Sequence, residues 1–264
     1  MSDAPEVEVV VTSAPGRPKV TVEAFCERQT AARAIQRAYG GSVRTLKKQN
    51  WAAMAPPQPD PIRVRDRLVI IGQRGAKAMA RTRRLFPGRE ILCVPPEMAF
   101  GTGHHATTAA VLRFIADAAA EWKRAGREWS MADLGCGSGI LAMAGLQLGA
   151  ADVWACDFDP DAVRVTLENL RLNRIDGIIA EVVDVTTWKP ARRYDCVAAN
   201  IFFDILVDIF PKLARSVKRE GIVLISGILA SQADECLAAG RRAGLEFDRV
   251  MKKGRWVSAR GRLV

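Results

Sequence analysis

The sequence predicts an α/β fold: a parallel sheet with helices on both faces and an antiparallel last strand, behind a small α+β N-terminal domain. Three observations carry this expectation. From residue 106 onward, apolar runs of strand length alternate with stretches of helical spacing. Three glycines at alternate positions, Gly135, Gly137 and Gly139, separate one such strand from its helix. Lys252-Lys253-Gly254 then joins the last two apolar runs as a hairpin.

Residues 6–11 read as a short strand, and Pro15-Gly16-Arg17-Pro18 as a turn. Residues 22–39 space Phe25, Ala32, Ile35 and Ala38 as a helix would, and Gly40-Gly41 stops them. Another strand is expected over residues 42–46. A unit of this size is thin for a self-sufficient core, so it should lean on the rest of the chain or on a partner. Pro56, Pro57, Pro59 and Pro61 make a stiff, extended linker. The boundary is therefore set between residues 1–59 and 60–264. Residues 62–71 and 90–94 read as paired strands. Helices are predicted over residues 106–124, 140–148, 160–172, 231–243 and up to about 218. Strands are predicted over 131–134, 153–156, 178–183, 194–199, 222–226, 245–251 and 255–263. Pro160 suits a first helical position, with Asp159 as its N-cap.

Composition narrows the function classes. The chain has 264 residues, 49% of them apolar, which is ample for a core. Its six cysteines are scattered singly and only two histidines are present, a poor basis for a zinc site and a good fit to a reducing cytoplasm. The first residues read as no signal peptide, and no apolar run reaches the roughly 20 residues of a membrane span, so no membrane association is expected. Net charge is +10, and residues 1–90 carry 17 Lys and Arg against 8 Asp and Glu. The remaining residues carry 22 against 21. The excess in the front third is either a solvated face or a recognition arm for an acidic partner or a ribonucleoprotein. It lacks the interleaved aromatics of specific base readout.

The glycine turn points to a nucleotide-containing cofactor. Only glycine takes φ > 0 freely and lets a ligand approach the backbone, and the following helix aims free N–H groups at the turn. Asp157, ending the next apolar run, suits a carboxylate that accepts from two ribose hydroxyls. Ile140 stands where a dinucleotide fingerprint has its third glycine, and a β-branched residue there obstructs close helix–strand packing. The spacing suits a cofactor without a pyrophosphate. S-adenosylmethionine fits better than a nicotinamide dinucleotide.

The stretch Pro96-Glu97-Met98-Ala99-Phe100-Gly101-Thr102-Gly103-His104-His105-Ala106-Thr107-Thr108 closely resembles the loop signature of the ribosomal protein L11 methyltransferases. Leu134 to Ala142, Asp157-Phe158-Asp159-Pro160, Ala199-Asn200-Ile201, Ser226-Gly227-Ile228-Leu229 and Gly254-Arg255-Trp256-Val257 extend the likeness over roughly residues 62–264. The resemblance implies a class I methyltransferase, Rossmann-like, that takes S-adenosylmethionine and methylates amines of a ribosomal protein. It implies that residues 1–59 are the substrate-recognition domain and 60–264 the methyltransferase domain. Cofactor contacts fall by resemblance on Thr108, Gly135, Asp157 and Asn200. Gly137 and the loop residues Phe100, Gly101 and Thr102 are expected beside them, and Asp184 suits the adenine amine. Asn200 is expected to position the incoming amine, and His105 to line the reacting site. The implied partner is ribosomal protein L11, with ribosomal RNA close to the basic N-terminal region. The competing readings are a methyltransferase of the same fold acting on another protein or small amine, and a non-catalytic module that docks ribosomal particles.

Overall fold

The computed structural model describes residues 7–13, 20–26, 29–44, 60–96 and 105–264. The chain divides into two compact units, Met1–Pro57 and Gln58–Val264. In the first, β1 (Val7–Ser13) and β2 (Val20–Cys26) pair antiparallel from Val7↔Cys26 to Ser13↔Val20, and α1 (Gln29–Tyr39) follows. The single helix expected over residues 22–39 is thus a strand and a shorter helix. Val20, Thr21 and Val22 are β-branched, and their strand preference outweighs the helical spacing of Phe25 with the later residues. No residue of α1 is buried. Residues 42–44 form no strand, whereas the turn at 15–18, residues 45–46 and most of the proline-rich linker lie outside the described residues.

The second unit opens with β3 (Ile62–Val64), β4 (Leu68–Ile71), α2 (Ala76–Leu85) and β5 (Glu90–Cys93). The strand expected over residues 62–71 is a hairpin. Arg65, at φ 53°, turns the chain, and β3 pairs antiparallel with β4. β4 pairs parallel with β5, and α2, which the apolar spacing did not predict, is the crossover between them. There follow α3 (Ala106–Arg124), β6 (Ser130–Leu134), α4 (Ile140–Gln147), β7 (Asp152–Asp157), α5 (Pro160–Asn173), β8 (Ile178–Val182), β9 (Tyr194–Asn200), α6 (Phe203–Ser216), β10 (Val217–Leu229), α7 (Ala233–Arg242), β11 (Leu245–Lys253) and β12 (Trp256–Leu263).

These strands form one seven-stranded sheet in the order β11-β12-β10-β9-β6-β7-β8. β8 to β10 run parallel, and β12 lies antiparallel between β10 and β11. Apolar clusters cover both faces. One joins Met131, Val153 and Ala155 to α3, α4 and the inner face of β3–β5. The other joins Leu134, Val197 and Ile225 to α6 and α7. Residues pointing alternately to these two layers explain why the central strands read as continuous apolar runs.

Three local devices set the geometry at the carboxyl edge of the sheet. Helix α4 starts at Gly139, which has no side chain to cap it. The fully buried Asp133 of β6 does so instead, its Oδ2 accepting the Ala142 N–H at 3.0 Å. A second device is a polar stripe on the inner face of α5. Thr166 donates to the Gly137 carbonyl at 2.9 Å, and Asn169 to the Ser138 carbonyl at 2.9 Å. One turn on, the Asn173 amide accepts from Cys93 N–H at 2.7 Å and donates to its carbonyl at 2.8 Å. The third device is the packing of Ile201, the residue after β9. A Cβ on Gly135 would overlap its Cγ2, and a Cβ on Gly227 would overlap its carbonyl oxygen. Gly227 lies at φ 89°, where the β10–β12 register shifts.

At the opposite edge, Asp195 holds β6, β9 and β10 together. It accepts from Arg127 at 2.6 Å, Lys218 at 2.8 Å and Ser130 N–H at 2.9 Å. Burial pushes its carboxyl up, but the hydrogen bonds from Lys218, Ser130 and Arg127 outweigh this and hold it below the ordinary value.

Two predictions follow from these devices. Burial pushes the Asp133 carboxyl up to about 7; the Ala142 N–H pulls it down and the Asp157 charge adds to the rise. The unfolded chain releases this proton near the ordinary carboxylate value, so the group's contribution to stability falls as pH rises from about 4 to 7 and is constant above. In denaturation curves at pH 5 and pH 8, Asp133→Asn removes about 2–3 kcal/mol of that pH dependence. Identical slopes in the two proteins would show that Asp133 ionises normally. Gly227→Ala forces a side chain into a left-handed backbone and against Ile201, so stability drops by ~1–3 kcal/mol or more. An unchanged melting curve would contradict that packing.

Candidate functional site

The carboxyl ends of β6, β7, β8 and β9 bring the predicted site residues to one edge of the sheet, where open α/β sheets hold ligands. The β6–α4 turn carries Gly135, Gly137 and Gly139 at φ 73°, 53° and 75°, all left-handed. Its backbone is pinned by N–H donors from Gly135 and Cys136 to the Cys156 carbonyl, at 2.8 and 2.9 Å. Thr166 and Asn169 hold it from behind. Gly139 is glycine for a further reason, since a Cβ there would stand 2.8 Å from Thr166 Cγ2.

Asp157 ends β7 and is buried. Its Oδ2 accepts the Gly137 N–H at 2.9 Å and its Oδ1 the Asp159 N–H at 3.1 Å. A carboxylate has about four acceptor positions, so both oxygens keep capacity for hydroxyl donors. Helix capping falls to Asp159, which accepts from Asp161 N–H at 2.9 Å. The Val183 N–H donates to the Asp157 carbonyl at 2.9 Å, which sets Asp184 at the next strand's end. Asp184 Oδ1 accepts from both the hydroxyl and the N–H of Thr186, at 2.7 and 2.8 Å. Those two bonds hold its carboxyl below the ordinary value.

Asn200 ends β9, next to Leu134 and Ala199 in the pairing of β6 with β9. Its Nδ2 donates to Thr108 Oγ1 at 3.3 Å, while its Oδ1 is buried and has no partner. A buried acceptor left without a donor is costly, and such an atom marks a place for one. Thr108 is fully buried in the first turn of α3. His105 is the N-cap residue of that helix, but its side chain does not cap it. Its Nδ1 lies 2.7 Å from Thr107 Oγ1, and its ring meets Trp256 edge-on, centroids 4.9 Å apart. Trp256 begins β12, so this pair places an aromatic wall one helical turn from Thr108. Phe100, Gly101, Thr102 and His104 lie outside the described residues.

Cys136, inside the glycine turn, is buried, and burial pushes its thiol up to about 12, with the Asp133 charge adding to the rise. It is a packing residue and no nucleophile at neutral pH. Asp133, Thr166, Asn169 and Asn173 shape the site and were not singled out from sequence. The available signal was the polar spacing of residues 166, 169 and 173, three and then four apart on the inner face of a helix.

The donor and acceptor set fits S-adenosylmethionine. A bare, left-handed turn leaves its backbone open to a ligand, a buried carboxylate keeps acceptor positions for hydroxyl donors, and a buried amide oxygen lacks a donor. Among the described residues, no cluster of three or more His, Cys, Asp or Glu is placed to hold a metal ion, and no helix is long and apolar enough to cross a membrane.

Comparison with known proteins agrees with this geometry. The family model described as ribosomal protein L11 methyltransferase (PrmA) matches residues 7–263. The match therefore reaches into the first unit, beyond the residue 62 limit of the motif resemblance. The ribosomal protein L11 methyltransferase of Pelotomaculum thermopropionicum is 34% identical over 222 residues, 84% of this chain and 68% of that protein. The corresponding protein of Chromobacterium violaceum is 39% identical over 197 residues, 75% of this chain and 60% of that protein. A crystal structure of ribosomal protein L11 methylase from Lactobacillus delbrueckii subsp. bulgaricus superposes with a TM-score of 0.63 at 28% identity, covering 77% of this chain and 98% of that one. With the family model spanning nearly every residue and the glycine turn, Asp157 and Asn200 gathered at one sheet edge, the chain belongs to the ribosomal protein L11 methyltransferase family, whose members use S-adenosylmethionine.

Proposed function

We propose that this chain methylates amines of ribosomal protein L11, lysine side chains or the α-amino group. The observation that carries the reading is the buried, unpartnered Asn200 Oδ1 beside Thr108. When bound, S-adenosylmethionine supplies a methyl group activated by its sulfonium. In this reading Asp157 accepts the ribose hydroxyls and Asp184 the adenine amine, whereas Thr108 and the first N–H groups of α3 meet the methionine carboxylate. Gly135 and Gly137 allow the close approach, and Phe100, Gly101 and Thr102 are assigned to the same cofactor by the loop signature they belong to. Residues 60–264 form the methyltransferase domain and residues 1–59 the substrate-recognition domain. A ribosomal substrate and free, unpaired cysteines, five of the six buried, support a cytoplasmic setting.

A lysine amine has a pKa near 10.4, so at neutral pH only about one in 10³ is uncharged and nucleophilic. An amide oxygen accepts an amine N–H without taking its proton, so Asn200 orients the nucleophile rather than deprotonating it. The half-buried, largely apolar side chains of Ile201, Trp256 and His105 would disfavour the ammonium form once substrate excludes water from them, raising the neutral fraction. The proton leaves to solvent before the nitrogen is presented.

Incubating the chain with labelled S-adenosylmethionine and free ribosomal protein L11, then locating the label by mass spectrometry, tests this directly. Labelled lysines or α-amine are expected; tight cofactor binding without transfer would favour a docking module, and transfer only to another protein or a small amine would change the substrate. Asn200→Ala should lower kcat about 10²-fold with cofactor affinity changed much less. Asp157→Ala should weaken cofactor binding at least about tenfold, the loss of hydrogen bonds to a charged group. Full turnover by Asn200→Ala would remove its positioning role.

A further inference from the structure

The basic excess of the chain sits elsewhere than the composition of its front third implies. Residues 1–59 carry eight Lys and Arg against five Asp and Glu, a net of only +3. Residues 60–90 carry nine against three, so +6 belongs to the second unit and its small sheet. From Arg67 to Arg89 there are seven Lys and Arg and no acid at all.

The centre of this stretch is α2. Its inner face, Ala78, Met79 and Thr82, packs with Phe86 on Val69, Ile71 and Cys93. Lys77, Arg81 and Arg84 follow one another four and three residues apart on the other face, and with Arg83 all are exposed. None of these four makes an ion pair among the described residues. A helix face that serves only solvation alternates its charges, as α5 does with Asp161, Arg164 and Glu168 at 3.2 and 2.7 Å. Like charges three and four residues apart oppose the helix, so the α2 arrangement retains a cost that a single glutamate would remove. A helical rise of about 1.5 Å per residue spreads the stripe over roughly 10 Å, enough to meet two or three successive phosphates. Arginine predominates, the cation whose planar fork matches phosphate. The apolar side of α2 is already occupied by the small sheet, which leaves no apolar face to enter a bilayer. No aromatic residue stands among the stripe to stack on bases.

We infer that the outer face of α2 docks the phosphodiester backbone of RNA, without reading sequence, through Lys77, Arg81 and Arg84. The choice of RNA over DNA rests on the ribosomal substrate proposed above; the phosphate chemistry rests on the helix alone.

The test is fluorescence anisotropy of the full chain with a labelled 20-base-pair RNA duplex between 50 and 200 mM salt. Binding that is indifferent to sequence and falls steeply with salt is expected. The triple variant Lys77→Ala, Arg81→Ala, Arg84→Ala should bind at least tenfold more weakly and lower the slope of log K against log salt by about 2.7, three contacts at ~0.9 each. A control with the same charge loss, Arg164→Ala, Arg171→Ala, Lys253→Ala, should change the slope by less than 1. Equal losses in the two triples would overturn the assignment to α2. Tighter binding to polyglutamate, to phosphatidylserine vesicles or to the matching DNA duplex would overturn RNA as the partner. Methyl transfer to free ribosomal protein L11 is measured in parallel by the wild-type chain. RNA binding without transfer would fail the functional reading and leave this one standing, and transfer without RNA binding would do the reverse.

Discussion

Ile201 is packed between the carboxyl ends of β6 and β10, and it can be there only because Gly135 and Gly227 have no Cβ. The strand that ends in Asn200 lies between those two strands, so the fit of one isoleucine sets the register of three strand ends. Everything polar at this edge is referred to that contact. Asn200 reaches Thr108 on α3 because Ile201 is held, and the turn that follows β6 rises past it toward Asp157. A close-packed interior transmits such a constraint without slack. Small side-chain changes remote from any ligand would therefore be felt at Asn200.

Helix α5 has a comparable role on the other side of the turn. Its polar stripe bonds chiefly to backbone, at Gly137, Ser138 and the end of β5, with weaker side-chain contacts to the sulfurs of Cys136 and Met143. One rigid helix thus spaces the glycine turn from the strand that leads toward the segment before α3. Buried polar groups of this kind are tolerable because each is satisfied. Asp133 Oδ1 is an exception, buried with no hydrogen-bond partner, and burial itself is what raises the pKa of its carboxyl.

What was legible in the sequence was local. The glycine spacing, Asp157 at a strand end, Asp159 before Pro160 and Asn200 after an apolar run are each defined within a few residues, and each sits where its neighbours predict. The succession of strands and helices along the chain and the hairpin at Gly254 also follow from simple alternation. Misreadings arose where one pattern ran into another. Apolar and basic residues alternate over residues 62–65, and the charged run Arg65-Asp66-Arg67 that breaks the alternation is the turn, which reads in the sequence as part of one strand. Alanine and arginine fill α2 with too few large apolar residues to announce a helix. Thr166, Asn169 and Asn173 act on backbone atoms up to 80 residues away, a distance over which spacing carries no information. The charge excess was visible as a number, but counting it over residues 1–90 ran across the boundary set at residue 60 and hid the unit that carries it.

Cys136 occupies the middle of a turn proposed to face an electrophilic methyl donor. Held near a pKa of about 12, it is a thiolate in only about one molecule in 10⁵ at pH 7. Cys156, at the strand end beside it, is pushed higher still by burial. The most nucleophilic side chains in the neighbourhood are thereby chemically silent. A protein that spends its working life beside an alkylating agent is protected from alkylating itself.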